Sequence, residues 1–217
     1  MRLDTADWAT IASLATAAGT LVLALATFAS VRSANRSAQV SERAFLSANR
    51  PLLVASQLSD PTEKVRFQDD HWVKLQGGHA YADSTDQAIY LAIALRNAGQ
   101  GLALLDRWRV DTDPSTTDFN TPPPDPQTFR RLTRDLYITP GFTGFWQGAM
   151  RDPHDPQFGE VRAAIAERRL LLIDIEYADQ EGGQRTTSRF AMTPFADNEW
   201  IPSIARHWRL DGHDPRQ

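Results

Sequence analysis

Hydrophobic and polar positions divide the chain near residue 50. Ahead of that point lies one long apolar stretch, "DWATIASLATAAGTLVLALATFASVR", in which Trp8 to Val31 is uncharged over 24 residues. At about 1.5 Å per residue, a helix of that stretch is roughly 36 Å long and outspans a hydrocarbon core of about 30 Å. A helix buried in a soluble core rarely needs such length. Its strongly apolar residues, among them Leu21, Val22, Leu23, Leu25 and Phe28, are diluted by Ala, Ser, Thr and Gly19. About eight Leu-like residues give roughly −2 to −5 kcal/mol of insertion free energy, before the hydroxyl groups subtract from it. Insertion is favourable by a narrow margin.

A cleaved signal peptide needs a cationic start and a shorter apolar run. Ala24-Leu25-Ala26 imitates a cleavage site, but "MRLDTAD" sets one Arg against two Asp. The stretch therefore reads as a transmembrane anchor. Arg32, Arg36, Arg43 and Arg50 follow the span and only Arg2 precedes it. This places the N-terminus outside and the remainder in the cytoplasm, on the plasma (inner) membrane of a single-pass protein.

Past the span, "SVRSANRSAQVSERAFLSANRP" has neither Gly nor Pro until Pro51. It predicts a juxtamembrane helix that Pro51 ends, because the residue before proline is steered from helical dihedrals. Arg32, Arg36 and Arg43 are candidates for lipid headgroups. Ala12, Ala15, Thr16 and Gly19 share one helical face, and small faces let helices approach in lipid. With the heptad-like Val31, Ala34, Ala38, Ser41, Phe45 and Ala48, they predict pairing with a second copy or another protein. Domains are expected at 1–50, anchor and juxtamembrane helix, and 51–217.

From Pro51 the period becomes that of strands. "PLLVASQL" and "HWVKL" read as the first two. In "QAIYLAIALRNAGQG", Ile89, Leu91, Ile93 and Leu95 alternate with Tyr90, Ala92 and Ala94, a central strand. "LALLDRWRV" reads as its returning arm, with Leu102, Leu104, Trp108 and Val110 on one face and Asp106 interrupting. The Pro- and Asp-rich segment after it predicts a long excursion, with Asp125-Pro126 capping a short helix that carries Phe129, Leu132 and Leu136. Pro140-Gly141 marks a turn. "DPQFGEVRAAIAERR" is the clearest helix outside the anchor, with Phe158, Val161 and Ile165 at helical spacing. "LLLIDIEYADQEGGQRTTSRFAMTPF" is the clearest hairpin. Its first strand is expected to begin doubly buried and become half exposed at Asp174 and Glu176, and its turn covers Asp179 to Gly183. "EWIPSIARHWRL" adds a short helix or strand holding Trp200, Ile204 and Trp208.

Composition narrows function more than it names it. The whole chain is at net charge −4, and after residue 50 there are 18 basic and 24 acidic residues. That balance argues against nucleic acid as a partner. There is no cysteine, hence no thiol nucleophile and no thiolate metal ligand. Gly99 and Gly101 after a strand resemble a dinucleotide loop, but the third glycine position is Leu104 and a strand pattern follows. The better reading is a turn in which glycine supplies positive φ and Asn97 bonds nearby backbone.

Glu176, Asp179 and Glu181 form an acidic group at the hairpin tip, and His154 stands between Asp152 and Asp155. None has the spacing of HExxH or an EF-hand, and a solvated turn accounts for them. No catalytic, cofactor-binding or metal-binding residue is assigned and no cofactor is expected. Trp72, Trp108, Trp146, Trp200 and Trp208 are read as core, with an exposed group of two or three marking a partner surface instead.

The sequence Leu95-Arg96-Asn97-Ala98-Gly99-Gln100-Gly101-Leu102-Ala103, the Thr139-Pro140-Gly141 turn and "IEYADQEGG" (Ile175 to Gly183) resemble bacterial single-pass proteins of uncharacterised function. The resemblance implies a cytoplasmic immunoglobulin-like antiparallel β-sandwich, mainly β with one or two short helices. It carries no catalytic residue. The function expected is a membrane-tethered binding, sensor or scaffold module without catalysis. Alternatives are a subunit of a larger membrane complex, or a small hydrolase with a cryptic acidic site.

Overall fold

The structure, a computed structural model, describes residues 5–117, 121–196 and 198–211. It divides into two compact units, residues 1–47 and 48–217, each described by itself.

The first unit is one helix. α1 runs Thr5–Ala48 over 44 residues without interruption, about 66 Å at the rise of an α-helix. Ala and the unbranched apolar residues favour this, and the chain leaves helical geometry just ahead of Pro51, as expected. From Trp8 to Leu46 it is long and apolar enough to cross a membrane, and that segment is not buried within the protein. Four hydroxyls along it are already satisfied. Ser13 donates to the Thr10 carbonyl, Thr16 to Ala12, Thr20 to Thr16 and Thr27 to Leu23, each at 2.8 Å. This back-bonding removes much of the desolvation penalty that free hydroxyls would bring to an apolar medium.

The second unit is mainly β, and in the whole chain strand outweighs helix at 41% to 27%. Its strands are β1 (Leu53–Ala55), β2 (Glu63–Arg66), β3 (Trp72–Leu75), β4 (Ala80–Ser84), β5 (Ile89–Asn97), β6 (Ala103–Asp111), β7 (Arg130–Ile138), β8 (Thr143–Met150), β9 (Leu171–Ala178), β10 (Thr186–Ala196) and β11 (Glu199–Arg209). One short helix, α2 (Phe158–Ala166), lies between β8 and β9. Nine strands form one antiparallel sheet in the order β1-β5-β4-β11-β10-β9-β6-β7, with β8 along the other edge of β5. β2 and β3 form a separate hairpin.

The large sheet folds upon itself. Ile89, Leu91, Ile93 and Leu95 of β5 share one buried cluster with Trp108 and Val110 of β6, Ile173 and Ile175 of β9, and Phe190 and Met192 of β10. α2 closes one side of that cluster with Phe158, Val161 and Ile165. The other face of β5, Tyr90, Ala92 and Ala94, is covered by Val65, Phe67, Val73 and Leu75 of the β2–β3 hairpin. Covered on both sides, β5 is central as its alternating pattern predicts, and every residue from Ile89 to Leu95 is buried.

Several local expectations change. β6 is not the returning arm of β5, because β1 and β4 occupy one edge of β5 and β8 the other. It crosses instead to pair with β7 and β9. Asp106 is a bulge between Leu105 and Arg107, so the inward set is Ala103, Leu105, Trp108 and Val110. One inserted residue reverses the parity of a strand. Gly99 and Gly101 serve close approach, not positive φ. A Cβ on Gly99 would lie 2.3 Å from the Arg50 carbonyl oxygen, and one on Gly101 would lie 1.8 Å from that of Asn49.

Asp125 does cap, accepting from the Gln127 amide, but only a single 3-10 turn at Pro126–Thr128. Leu132 and Leu136 then lie on β7 at strand spacing, packed on the core. β9 is buried along its whole length, so Asp174 and Glu176 are enclosed instead of half exposed. The tail is an 11-residue strand, β11, not a short element. β2 and β4 lack a sequence signal, since β2 is charged except for Val65 and β4 presents only Ala80 and Ala82 inward.

Candidate functional site

The residues singled out for the membrane all fall on α1. Ala12, Ala15, Thr16 and Gly19 lie on its exposed apolar part, and the Thr16 hydroxyl is committed to its own helix. A Cβ on Gly19 would meet nothing, which leaves that face open to close approach. Arg32 and Arg36 are exposed on the following turns, and Arg43 belongs to the same helix.

The acidic group at the hairpin tip does not converge. Asp179 caps its own turn, accepting from the Glu181 and Gly183 amides at 3.2 and 2.9 Å. Glu181 is exposed, whereas Glu176 lies inside the sheet. Burial pushes the Glu176 carboxyl above its ordinary value, against the pull of Arg107 and Arg185. Gly182 takes the positive φ of the turn, +77°. His154 and Asp152 are exposed, and Asp155 is turned toward Arg130. Among the described residues no three His, Cys, Asp or Glu side chains gather as metal ligands.

One serine does meet a histidine. The Ser188 Oγ is 2.6 Å from His207 Nδ1 and 2.9 Å from the Tyr177 hydroxyl, which in turn accepts from the Leu53 amide. Ser188 and Tyr177 are fully buried, so this chain ties β1, β9, β10 and β11 together, out of reach of a substrate. Of the tryptophans, Trp72 is exposed, whereas Trp108, Trp146, Trp200 and Trp208 are core. They do not form an exposed aromatic group.

A concave site occurs where the folded sheet fails to close. Among the described residues β7 pairs only with β6 and β8 only with β5, although the Thr139-Pro140-Gly141 turn joins them directly. Their facing edges leave a seam. A cleft of 60 Å³ lies in it, lined by Arg130, Arg131, Arg151, Trp108 and Gln147, among others. About 10–15 Å³ suffices for one water, so this space holds several waters or one small polyatomic group.

The walls are fixed by pairing. Trp108 and Trp146 meet edge to face with centroids 5.3 Å apart, and Gly148 leaves room for them, since a Cβ there would lie 2.7 Å from the Trp146 ring. The Arg130 guanidinium lies over the Trp108 ring at 5.7 Å and bonds Asp155 with both Nη atoms, the Nη2 contact being 3.0 Å. Its Nη2 also donates to Gln157 at 2.7 Å. Those bonds hold the Asp155 carboxyl below the ordinary carboxylate range. Arg151 donates Nε to Asp69 at 3.3 Å, and Asp69 accepts from the Tyr90 hydroxyl at 2.5 Å. Burial would raise Asp69, but these two bonds outweigh it and hold the acid low. The loop carrying Asp69 also reaches β7, where Gln68 donates to the Thr133 carbonyl at 3.4 Å.

Gln147 is the odd member. It is 5% exposed, and its Oε1 is buried without a hydrogen-bond partner. A buried amide left unpaired is costly, and the Gln147 side chain stands in the wall of the cleft. Sequence reasoning missed this site. Its arginines come from β7 and from the residue just past the end of β8, about 20 positions along the chain, and only the Arg130-Arg131 pair is visible as a local signal.

Taken together, the chain is a mainly β domain with an arginine-lined seam, behind one helix long enough to cross a membrane. Comparison with known proteins finds no matching family model and no matching curated protein.

Proposed function

We propose that this chain is a single-pass inner-membrane protein whose cytoplasmic β domain binds a ligand or partner and does no chemistry of its own. The observation that carries the reading is α1: an uninterrupted helix, uncharged from Trp8 to Val31, exposed throughout its apolar length and with four of its hydroxyls bonded to its own backbone. Arginines at 32, 36, 43 and 50 against one at position 2 orient the domain to the cytoplasm by the positive-inside rule. Arg32, Arg36 and Arg43 then meet anionic headgroups, and Ala12, Ala15, Thr16 and Gly19 offer a face for a second copy of the helix.

The folded antiparallel sheet is in keeping with an immunoglobulin-like sandwich, the fold implied by the resemblance to bacterial single-pass proteins of uncharacterised function. The seam between β7 and β8 is the binding surface of the module. Its polar lining is Arg130, Arg131, Arg151, Gln147 and Thr133, a set dominated by donors that hold a ligand, in which the one hydroxyl has no histidine beside it in the lining to act as its base.

Alkaline carbonate extraction of membranes tests the anchor. The chain stays in the pellet, and Leu23→Arg, which costs about 2.5–3.5 kcal/mol at mid-span against a total of only about −2 to −5, releases a substantial fraction. Quantitative recovery of the unmodified chain in the supernatant would refute the reading.

A further inference from the structure

We infer that the seam between β7 and β8 is a binding site for a phosphate group, carried as a free phosphomonoester or on a lipid. The inference rests on reading the β domain as a binding module and names the chemistry of its ligand. Arg130, Arg131 and Arg151 line a cleft of 60 Å³, Arg131 from an exposed strand position, and two carboxylates, Asp155 and Asp69, answer Arg130 and Arg151. The positive charge of Arg131 is left over beside the cleft.

The donor inventory is more telling than the charge. Arg130 spends its Nη atoms on Asp155 and Gln157. Arg151 spends only Nε, on Asp69, which leaves both Nη groups for a ligand. Arg131 makes no ion pair or side-chain hydrogen bond among the described residues. A guanidinium offers five N–H donors in a fork that fits two oxygens of one anion. The two existing ion pairs hold Arg130 and Arg151 in place before a ligand arrives, so little side-chain entropy is lost on binding.

Gln147 fixes the kind of anion. Its orphaned carbonyl needs a donor, which inorganic phosphate supplies through the P–OH it keeps near neutral pH and a phosphomonoester supplies when bound as its monoanion, while the other oxygens accept from the arginines. Sulfate and chloride supply none. A carboxylate has two oxygens for three guanidiniums and, once ionised, no donor for the amide. The Trp108 ring under Arg130 shields one side of the site from water and strengthens the charge interactions inside it.

The test is a thermal-unfolding titration of the full chain in phosphatidylcholine nanodiscs, followed by tryptophan fluorescence. Glycerol 3-phosphate and inorganic phosphate are the probes, against sulfate and chloride at matched ionic strength. The expected result is a saturable rise in Tm with phosphate and a much smaller one with sulfate. Arg131→Glu, at an exposed strand position, weakens it about tenfold or more, while Arg134→Glu, an exposed arginine on the same strand outside the cleft, leaves it unchanged.

Nanodiscs containing phosphatidic acid separate the two sources. A rise with the free probes assigns a soluble phosphomonoester. A rise only with phosphatidic acid, lost in Arg131→Glu, assigns a lipid headgroup. No phosphate-specific rise in either arm, or equal loss in Arg131→Glu and Arg134→Glu, overturns the inference. Recovery of the chain with the nanodiscs reads the membrane anchor independently, so failure of the site and failure of the tether are told apart.

Discussion

Single buried polar groups fix the architecture of the β domain. Asn97 is the clearest. Fully buried, it accepts from the Leu52 and Gly99 amides and donates to the Gly101 and Ile138 carbonyls at 2.7 to 3.2 Å. It thereby joins the entry into β1, the crossover loop and the end of β7. Asn97→Ala leaves four backbone groups without that partner and is expected to cost about 3 kcal/mol or more, read as a lowered urea midpoint at unchanged m. Glu176 gives a pH signature. Its raised carboxyl means that the folded chain holds a proton that the unfolded chain has released. The protonated form is favoured by folding, so stability falls as pH rises from the ordinary glutamate value through the raised one. Glu176→Gln is expected to flatten that part of the stability–pH profile and to leave the more acid part, where both forms are neutral, unchanged.

At the scale of elements, the long and periodic segments were legible and the short or interrupted ones were not. β5, α2 and the β9–β10 hairpin each follow one unbroken period, and α1 ends at its proline. β6 carries an alternating pattern as well, but the bulge at Asp106 reverses it, and its partner is set by which edges of β5 are already filled. Asp174 misled for another reason. A carboxylate in a strand reads as solvent-facing, yet here Arg189, 1% exposed, grips it through Nε and Nη2, both at 2.7 Å, with the Trp208 ring over the guanidinium. The partner comes from β10, fifteen residues away, and no local pattern announces it. Arg189→Met leaves Asp174 only the looser ion pair with Arg109 Nε at 3.4 Å and is expected to destabilise by up to about 3–5 kcal/mol, whereas Arg189→Met with Asp174→Leu recovers most of that loss. Equal loss in the single and double variants would contradict the pairing.

For the whole molecule, the sequence divides labour between a helix specified by composition and a domain specified by packing. The helix was readable because lipid solubility is additive along the chain. The seam was not, because it exists only where the two free edges of a folded sheet, β7 and β8, come beside each other. The central claim is that this domain is held on the inner side of a membrane by α1. Protease treatment of intact spheroplasts, compared with lysed ones and with the membrane pellet after carbonate washing, tests it most directly. The account predicts a full-length C-terminal reporter that pellets with membranes, survives protease outside intact spheroplasts and is digested once they are opened. Digestion in intact spheroplasts, or a reporter that remains in the supernatant, would contradict it.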